Sequence, residues 1–386
     1  MPRATALEPL WDRAAEWRRR LAMIESAREF LYLTTFYIEY DAYGAEILAA
    51  LRRAQQRGVA VSLLVDAFGQ RLGGVLMTAA QRAALRRELD GLRADGGRVA
   101  EYVPRHLTQR LLGGGQHVKI QVSEQGEAII GSSNLTKSSF EGWNEYSVAL
   151  RGPVAVDLLE SVRALGGEVS PAHVARLAES TRDTADAPAD LELDYWLCDP
   201  NATQGWSGPF GWRGDNAITT RMIAMLDEAR TSARVTSFYF KPAPPLLDAV
   251  LRAARRGVRV EVFHSHRDAL PATDLAWIAA AASYPRLLDA GVHLFENRHG
   301  EHSKLVLIDD AWAAFGSYNF EDAAHDRLAE AMLASRDPRA VGPVRAIFAE
   351  LAGHADNERV TPASVHDWPA RVRSRVARFG RFKWWM

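Results

Sequence analysis

Residues 117–134 read HVKIQVSEQGEAIIGSSN, and residues 302–319 read HSKLVLIDDAWAAFGSYN. Each stretch opens on His-x-Lys, runs through an apolar segment, turns, and returns to Gly-Ser-x-Asn. In both copies the histidine precedes an acid by 7 residues (Glu124, Asp309), a glycine by 14 (Gly131, Gly316), an asparagine by 17 (Asn134, Asn319) and a glutamate by 28 (Glu145, Glu330). Side chains at i and i+2 of a strand share a face, so His117 emerges beside Lys119 and His302 beside Lys304. The return strand brings Ser132 and Asn134, or Ser317 and Asn319, up next to them. Each copy thus presents an imidazole, an ammonium, an amide and a hydroxyl in one cluster. A lone His-x-Lys arises often by chance, but two copies that agree at every interval do not.

The likeness extends upstream. LTTFYI at 33–38 matches VTSFYF at 235–240, and LAALRRAQQRGVAVSLL at 48–64 matches DAVLRAARRGVRVEVF at 248–263. In each half a helix ends in Arg, Gly follows, and a β-branched run begins, which predicts a helix stop and then a buried strand. The expected elements are strands at 30–38 and 59–66 around a helix at 45–56, repeated as strands at 235–240 and 258–264 around a helix at 245–256. The offset of about 200 residues marks duplication of a whole domain rather than a stacked short repeat. Strands alternating with helices of this length predict an α/β architecture. Between the halves, 181–192 (TRDTADAPADLE) reads as a linker. Segment 205–215 carries Trp206, Phe210 and Trp212, and is expected to pack against the protein.

Composition narrows the function. Hydrophobic residues make up 47% of the 386 and charged residues 25%, which excludes wholesale disorder, collagen and coiled coil. A net charge of −1 offers no whole-molecule attraction to nucleic acid. Cys198 stands alone, excluding an internal disulfide and a Cys-x-x-Cys metal site. Two histidines on different halves, each with a lysine beside it, would repel a divalent ion, so neither metal nor cofactor is expected.

The longest apolar stretch, 275–282, falls far short of the roughly 18–20 residues of a membrane span, and residues 1–20 lack a signal-peptide core. The whole chain is therefore expected in the cytoplasm. The C-terminal end differs: 371–386 holds six cations (Arg371, Arg373, Arg375, Arg378, Arg381 and Lys383) and no acid, interleaved with Phe379, Phe382, Trp384 and Trp385. Such a segment suits a membrane interface, as a peripheral contact. The alternative is a terminal helix docked on the protein's own surface.

Only five of the 47 cations are lysine (Lys119, Lys137, Lys241, Lys304, Lys383), and the other 42 are arginine. A position needing only a solvated charge would be Arg about nine times in ten, so lysine in both His-x-Lys pairs points to a role specific to an ammonium group. Two ammonium groups can hold the non-bridging oxygens of a phosphoryl group, with Asn and Ser adding hydrogen bonds. One imidazole can attack phosphorus while the other protonates the leaving oxygen and then activates an acceptor. Glu145 and Glu330 could orient each imidazole through its other nitrogen. The remaining histidines carry less: His264 and His266 have no histidine counterparts in the first half and are expected to pack in a loop or face solvent.

With these residues in view, the chain resembles the phospholipase D superfamily, whose signature is His-x-Lys, four residues, Asp, six residues, then Gly-Ser-x-Asn. The second copy matches in full, and the first has Glu124 in place of Asp. Phe238-Tyr239-Phe240-Lys241-Pro242, Asp66-Ala67-Phe68-Gly69 and Asn144-Glu145-Tyr146-Ser147-Val148 are similar to segments of bacterial cardiolipin synthases and related phosphatidyltransferases. The resemblance implies two tandem phospholipase D-like domains, each a mixed sheet flanked by helices and related by a pseudo-twofold axis. The expected boundaries are 1–165 and 214–355, with 166–213 as linker and packing segment and 356–386 as the basic aromatic tail.

It also implies one active site at the domain interface, with His117, Lys119, Asn134, Glu145, His302, Lys304, Asp309, Asn319 and Glu330 catalytic and Ser132 and Ser317 binding substrate. His117 is the expected nucleophile and His302 the general acid and base. The implied reaction passes a phosphatidyl group between phospholipids, phosphatidylglycerol giving cardiolipin, at the inner membrane. Hydrolysis to phosphatidic acid, cleavage of nucleic acid, and lipid binding by a dead site are the alternatives, with no nucleic-acid partner expected.

Overall fold

The computed structural model describes residues 2–182, 188–201, 216–271 and 273–380. In the first half the buried run Phe30–Thr35 (β2) pairs in parallel with Ala60–Asp66 (β3), and β3 with Arg98–Tyr102 (β4). Ile120–Ser123 (β5) lies antiparallel on the other side of β2, followed outward by Glu127–Gly131 (β6), Ser147–Arg151 (β7) and Ala6–Leu10 (β1). All six residues of β2 are buried, as expected of a central strand covered on both faces. Gly58 and Gly257 end the helices Ala42–Gln56 and Pro244–Arg255 at φ of 91° and 90°. A side chain there would be strained in the left-handed conformation that turns each helix back into the next strand.

The second half repeats this order. Ser232–Ser237 (β9), Arg259–Ser265 (β10) and His293–Asn297 (β11) are parallel, and Leu305–Ile308 (β12), Trp312–Gly316 (β13) and Leu328–Ser335 (β14) are antiparallel. Asp194–Cys198 (β8) forms one edge against β14, and Asn357–Val360 (β15) the other against β11. The second sheet therefore takes its edge strand from the segment expected to be linker. That segment also holds a helix at Pro171–Ser180, while Trp206, Phe210 and Trp212 lie outside the described residues.

One feature of both halves departs from expectation. β2 stops at Thr35 and β9 at Ser237, short of the repeated Phe-Tyr pair, because Phe36, Tyr37, Phe238 and Tyr239 leave the sheet to line a cavity between the halves.

The halves share a core: Tyr146 and Phe315 meet edge to face at 5.6 Å, in a buried cluster with Ile130, Leu150, Leu305 and Leu333. They also pair through the backbone. Gly115–Gln116 lies parallel to Leu328 and Ala329 at the start of β14, and Asn144 bridges to Glu301. The C-terminal helix Ala370–Phe379 docks on the protein itself. Val372 is buried in the second-half core, and Arg375 holds Asp274 through two contacts of 2.7 Å. Arg381, Phe382, Lys383, Trp384 and Trp385 lie outside the described residues.

Candidate active site

His117 and His302 face the cavity between the halves, which encloses about 390 Å³. Each imidazole is held by the other half's glutamate. His302 Nδ1 lies 2.8 Å from Glu145, and His117 Nδ1 lies 3.1 Å from Glu330 and 3.0 Å from the Ser317 carbonyl. With Nδ1 engaged, Nε2 is the nitrogen left for a substrate. The aromatic residues that leave the sheets pack on the rings: Phe36 meets His117 edge-on at 4.9 Å, and Phe238 meets His302 edge-on at 4.5 Å. Trp143 stacks on His302 at 4.8 Å.

The two lysines are buried behind the rings. Lys119 Nζ donates to the His117 carbonyl at 2.6 Å, and Lys304 Nζ donates to the His302 carbonyl. Burial is the main force pressing Lys304 down, to about 8, against the pull of Glu145 and Glu330. Burial, with Lys304 nearby, also takes Lys119 well below its ordinary value. Both imidazoles are pushed down by burial and by the lysines, His302 to about 3, so they are neutral at rest.

The glutamates diverge. Burial pushes both upward, but His302 and Lys304 outweigh it at Glu145, which settles near 2. Glu330, despite Lys119, rises to about 8.

Asn134 and Asn319 also line the cavity, and the Oδ1 of each is buried without a hydrogen-bond partner among the described residues. Their position follows from Gly131 and Gly316: a Cβ at either would come within 2.5 Å of backbone on the adjacent strand, so only glycine lets the return strand approach closely enough.

Ten of the expected site residues are thus brought together, and one is not. Asp309 sits at the far end of β12, about 16 Å along an extended strand from its lysine. There it accepts hydrogen bonds of 2.8–2.9 Å from the backbone of Arg230, Thr231 and Ser232 and from the Thr231 hydroxyl. Glu124 does the same for Arg28 and Phe30. The acid of the motif anchors the entry to the central strand, and its fixed spacing reflects strand length.

The serines are tied to the strands that carry the glutamates. Ser132 bonds the backbone of Tyr146, accepting at 2.9 Å and donating at 3.2 Å. Ser317 donates to Glu330. Neither is among the residues that line the cavity.

Trp143 and the ion pair Lys241–Glu321 (3.4 Å) escaped the site reading, and all three line the cavity. The rarity of lysine was the available signal for Lys241. Lys137, rare for the same reason, is exposed and pairs with Glu141. His264 is a core residue bonded to Tyr284 at 2.8 Å. Among the described residues no three His, Cys, Asp or Glu side chains are grouped to hold a metal.

Residues 21–163 and 222–352 match the family described as cardiolipin synthase, PLD-like domain. The chain belongs to that family. It is a phospholipase D-type phosphatidyltransferase. Cardiolipin synthase B of Escherichia coli K12 is 30% identical over 315 residues, covering 77% of this chain and 68% of that protein. Cardiolipin synthase B of Salmonella typhi is 28% identical over 336 residues, covering 81% and 72%. Among solved structures, phosphatidylserine synthase of Haemophilus influenzae Rd KW20 shares the fold, with a TM-score of 0.72 at 16% identity over 99% of this chain and 95% of that one.

Proposed function

We propose that this enzyme transfers a phosphatidyl group from one phosphatidylglycerol to the hydroxyl of another, forming cardiolipin and glycerol through a covalent phosphohistidine. The observation that carries this reading is the pair of imidazoles, each strapped at Nδ1 to the opposite half, facing one cavity with both lysines behind them. His117 Nε2 attacks phosphorus, the bond from phosphorus to the glycerol oxygen breaks, and His302 supplies the proton to that oxygen. His302 then takes the proton of the acceptor hydroxyl, the acceptor oxygen attacks phosphorus, and the bond from phosphorus to His117 breaks.

The bound phosphodiester contributes a negative charge that offsets the lysines and lets His302 hold a proton. Trp143, stacked on that ring, favours its cationic form, which supports His302 as the acid and base. Lys119, Lys304, Asn134 and Asn319 stabilise the charge that builds on the phosphoryl oxygens. No step is assigned to a metal.

No helix of the described residues is long and apolar enough to cross a membrane. The enzyme is proposed to reach its lipid from the cytoplasmic side of the inner membrane as a peripheral protein. The test is incubation with phosphatidylglycerol vesicles, with and without a small alcohol, and mass spectrometry of the lipid products. Cardiolipin with glycerol is expected. Phosphatidic acid alone would assign hydrolysis, and DNA cleavage without lipid turnover would refute both lipid readings.

A further inference from the structure

Among the described residues seven large hydrophobic side chains are exposed, and five of them, Leu72, Val75, Val103, Leu107 and Leu111, lie in two segments, 67–77 and 103–113. Exposed apolar residues scattered singly need no explanation, but a cluster does. Val75, Leu107 and Leu111 are 72%, 66% and 76% exposed, so the cluster is not residual core.

The two segments sit at the mouth of the active-site cavity. Helix Ala67–Leu76 contributes Phe68, Leu72 and Leu76 to its wall, and helix Leu107–Leu111 runs directly into Leu112 and Gly113, which line it too. The segments touch each other: a Cβ on Gly113 would come within 2.9 Å of the Phe68 ring. Across the opening the second half offers Leu275, another of the seven, which also lines the cavity. The basic C-terminal helix docks along helix Leu275–Ala281, with Arg375 holding Asp274 next to Leu275.

Charge points the same way. Segments 67–77 and 103–113 hold Arg71, Arg105 and Arg110 and no acid. All three arginines are exposed, and none forms an ion pair with another described residue. An apolar patch bordered by exposed arginines and continuous with the apolar wall of a reaction cavity fits an anionic lipid surface. The apolar residues enter the acyl boundary and the guanidinium groups meet lipid phosphates.

We infer that the cavity mouth, built from Leu72, Val75, Leu107, Leu111 and Leu275, is the docking surface for an anionic bilayer. A lipid can then pass from bilayer to cavity along a continuous apolar path. The purpose of the surface rests on the phosphatidyl-transfer reading, and its existence does not.

The test measures co-sedimentation of the full chain with phosphatidylglycerol and with phosphatidylcholine vesicles, beside turnover of a short-chain phosphatidylglycerol kept below its micelle concentration. The variant V75S/L107S/L111S changes exposed side chains that do not line the cavity. It should bind phosphatidylglycerol vesicles about tenfold or more weakly, each lost aliphatic group removing part of the inserted area, while short-chain turnover stays within about twofold. A second variant, R71Q/R105Q/R110Q, keeps the apolar face and should lose the preference for phosphatidylglycerol over phosphatidylcholine. It also stands in if the serine variant fails to fold.

Undiminished vesicle binding by both variants overturns the proposal. So does a wild-type protein that sediments as a dimer without lipid while the serine variant is a monomer, since the patch would then serve a second copy. Weakened binding in a protein that turns over no phospholipid leaves the docking surface standing and refutes phosphatidyl transfer instead.

Discussion

The dyads His302–Glu145 and His117–Glu330 descend from one duplicated motif, yet their proton affinities differ. Glu145 has His302 at 2.8 Å and settles near 2, whereas Glu330 shares the His117 Nδ1 hydrogen with the Ser317 carbonyl and rises to about 8. The surroundings differ as well. Trp143, two residues before Glu145, stacks on His302, and the matching position before Glu330 is Leu328. Glu301 precedes His302, and burial raises it to about 7, while Gln116 precedes His117 and is uncharged. Duplication kept the skeleton that places two imidazoles together. Substitutions around each ring then made one dyad charged at rest and the other nearly neutral, as the two unlike roles proposed for the rings require.

The largest expected effect removes either side of the comparison. His117→Ala and His302→Ala should each lower turnover by about 10³-fold or more, and the double variant should be no slower than the worse single one, because both imidazoles act in the same steps. Steady-state kinetics on phosphatidylglycerol vesicles measures this, and a single variant within tenfold of wild type would break the two-histidine scheme.

A sharper comparison swaps each carboxylate for its neutral isostere. Glu145→Gln removes a resting charge and should cost about 10²–10³-fold in kcat, whereas Glu330→Gln should cost about tenfold. Their effects on stability should separate by pH. The folded pKa of Glu145 lies below the ordinary 4.5, so its contribution is present above that value and lost as pH falls towards 2. The folded pKa of Glu330 lies above 4.5, so its contribution is full below that value and lost as pH rises through about 8. Thermal melts should show Glu330→Gln flattening the decline in Tm from pH 5 to 9, and Glu145→Gln flattening the decline below pH 5. Matching profiles for the two variants would contradict the asymmetry.

The smallest catalytic effect is expected at the motif's acid. Asp309→Ala removes an anchor for three backbone N–H groups and should cost about 1–2 kcal/mol of stability, with kcat per folded molecule within about twofold. The carboxyl is pulled to about 2 by those hydrogen bonds against a burial penalty, so its contribution is lost as pH falls from the ordinary 3.8 towards 2. A large loss of kcat in a fully folded variant would return Asp309 to the reaction.

The α/β class and the duplicated halves were legible because helix stops and buried strands are written in local patterns: Arg-Gly before a β-branched run, and an apolar run at the centre of each sheet. His-x-Lys was legible as a repeated motif and not as strand geometry: His117–Lys119 and His302–Lys304 lie just ahead of β5 and β12, outside the strands on which the pleat argument placed them. The role of Asp309 was not legible, since a constant interval from the histidine records equally well a shared site or a shared strand length. Lys137 and Lys241 were equally rare in type, and only their burial distinguishes them: one is exposed beside Glu141 and the other lines the cavity with Glu321. Trp143 gave no signal because its partner ring, His302, lies on the other half.

By itself the sequence determined a His-x-Lys pair and a Gly-Ser-x-Asn return in each half, and a chemistry suited to a phosphoryl group. These rest on residue types within a short stretch of chain. The tertiary structure alone decided that Glu145 serves His302 and Glu330 serves His117, across 157 and 213 residues of chain. It also decided that the apolar segments 67–77 and 103–113 meet at the mouth of the cavity. Both follow from how the two sheets pack on their shared core, and no local periodicity encodes that packing.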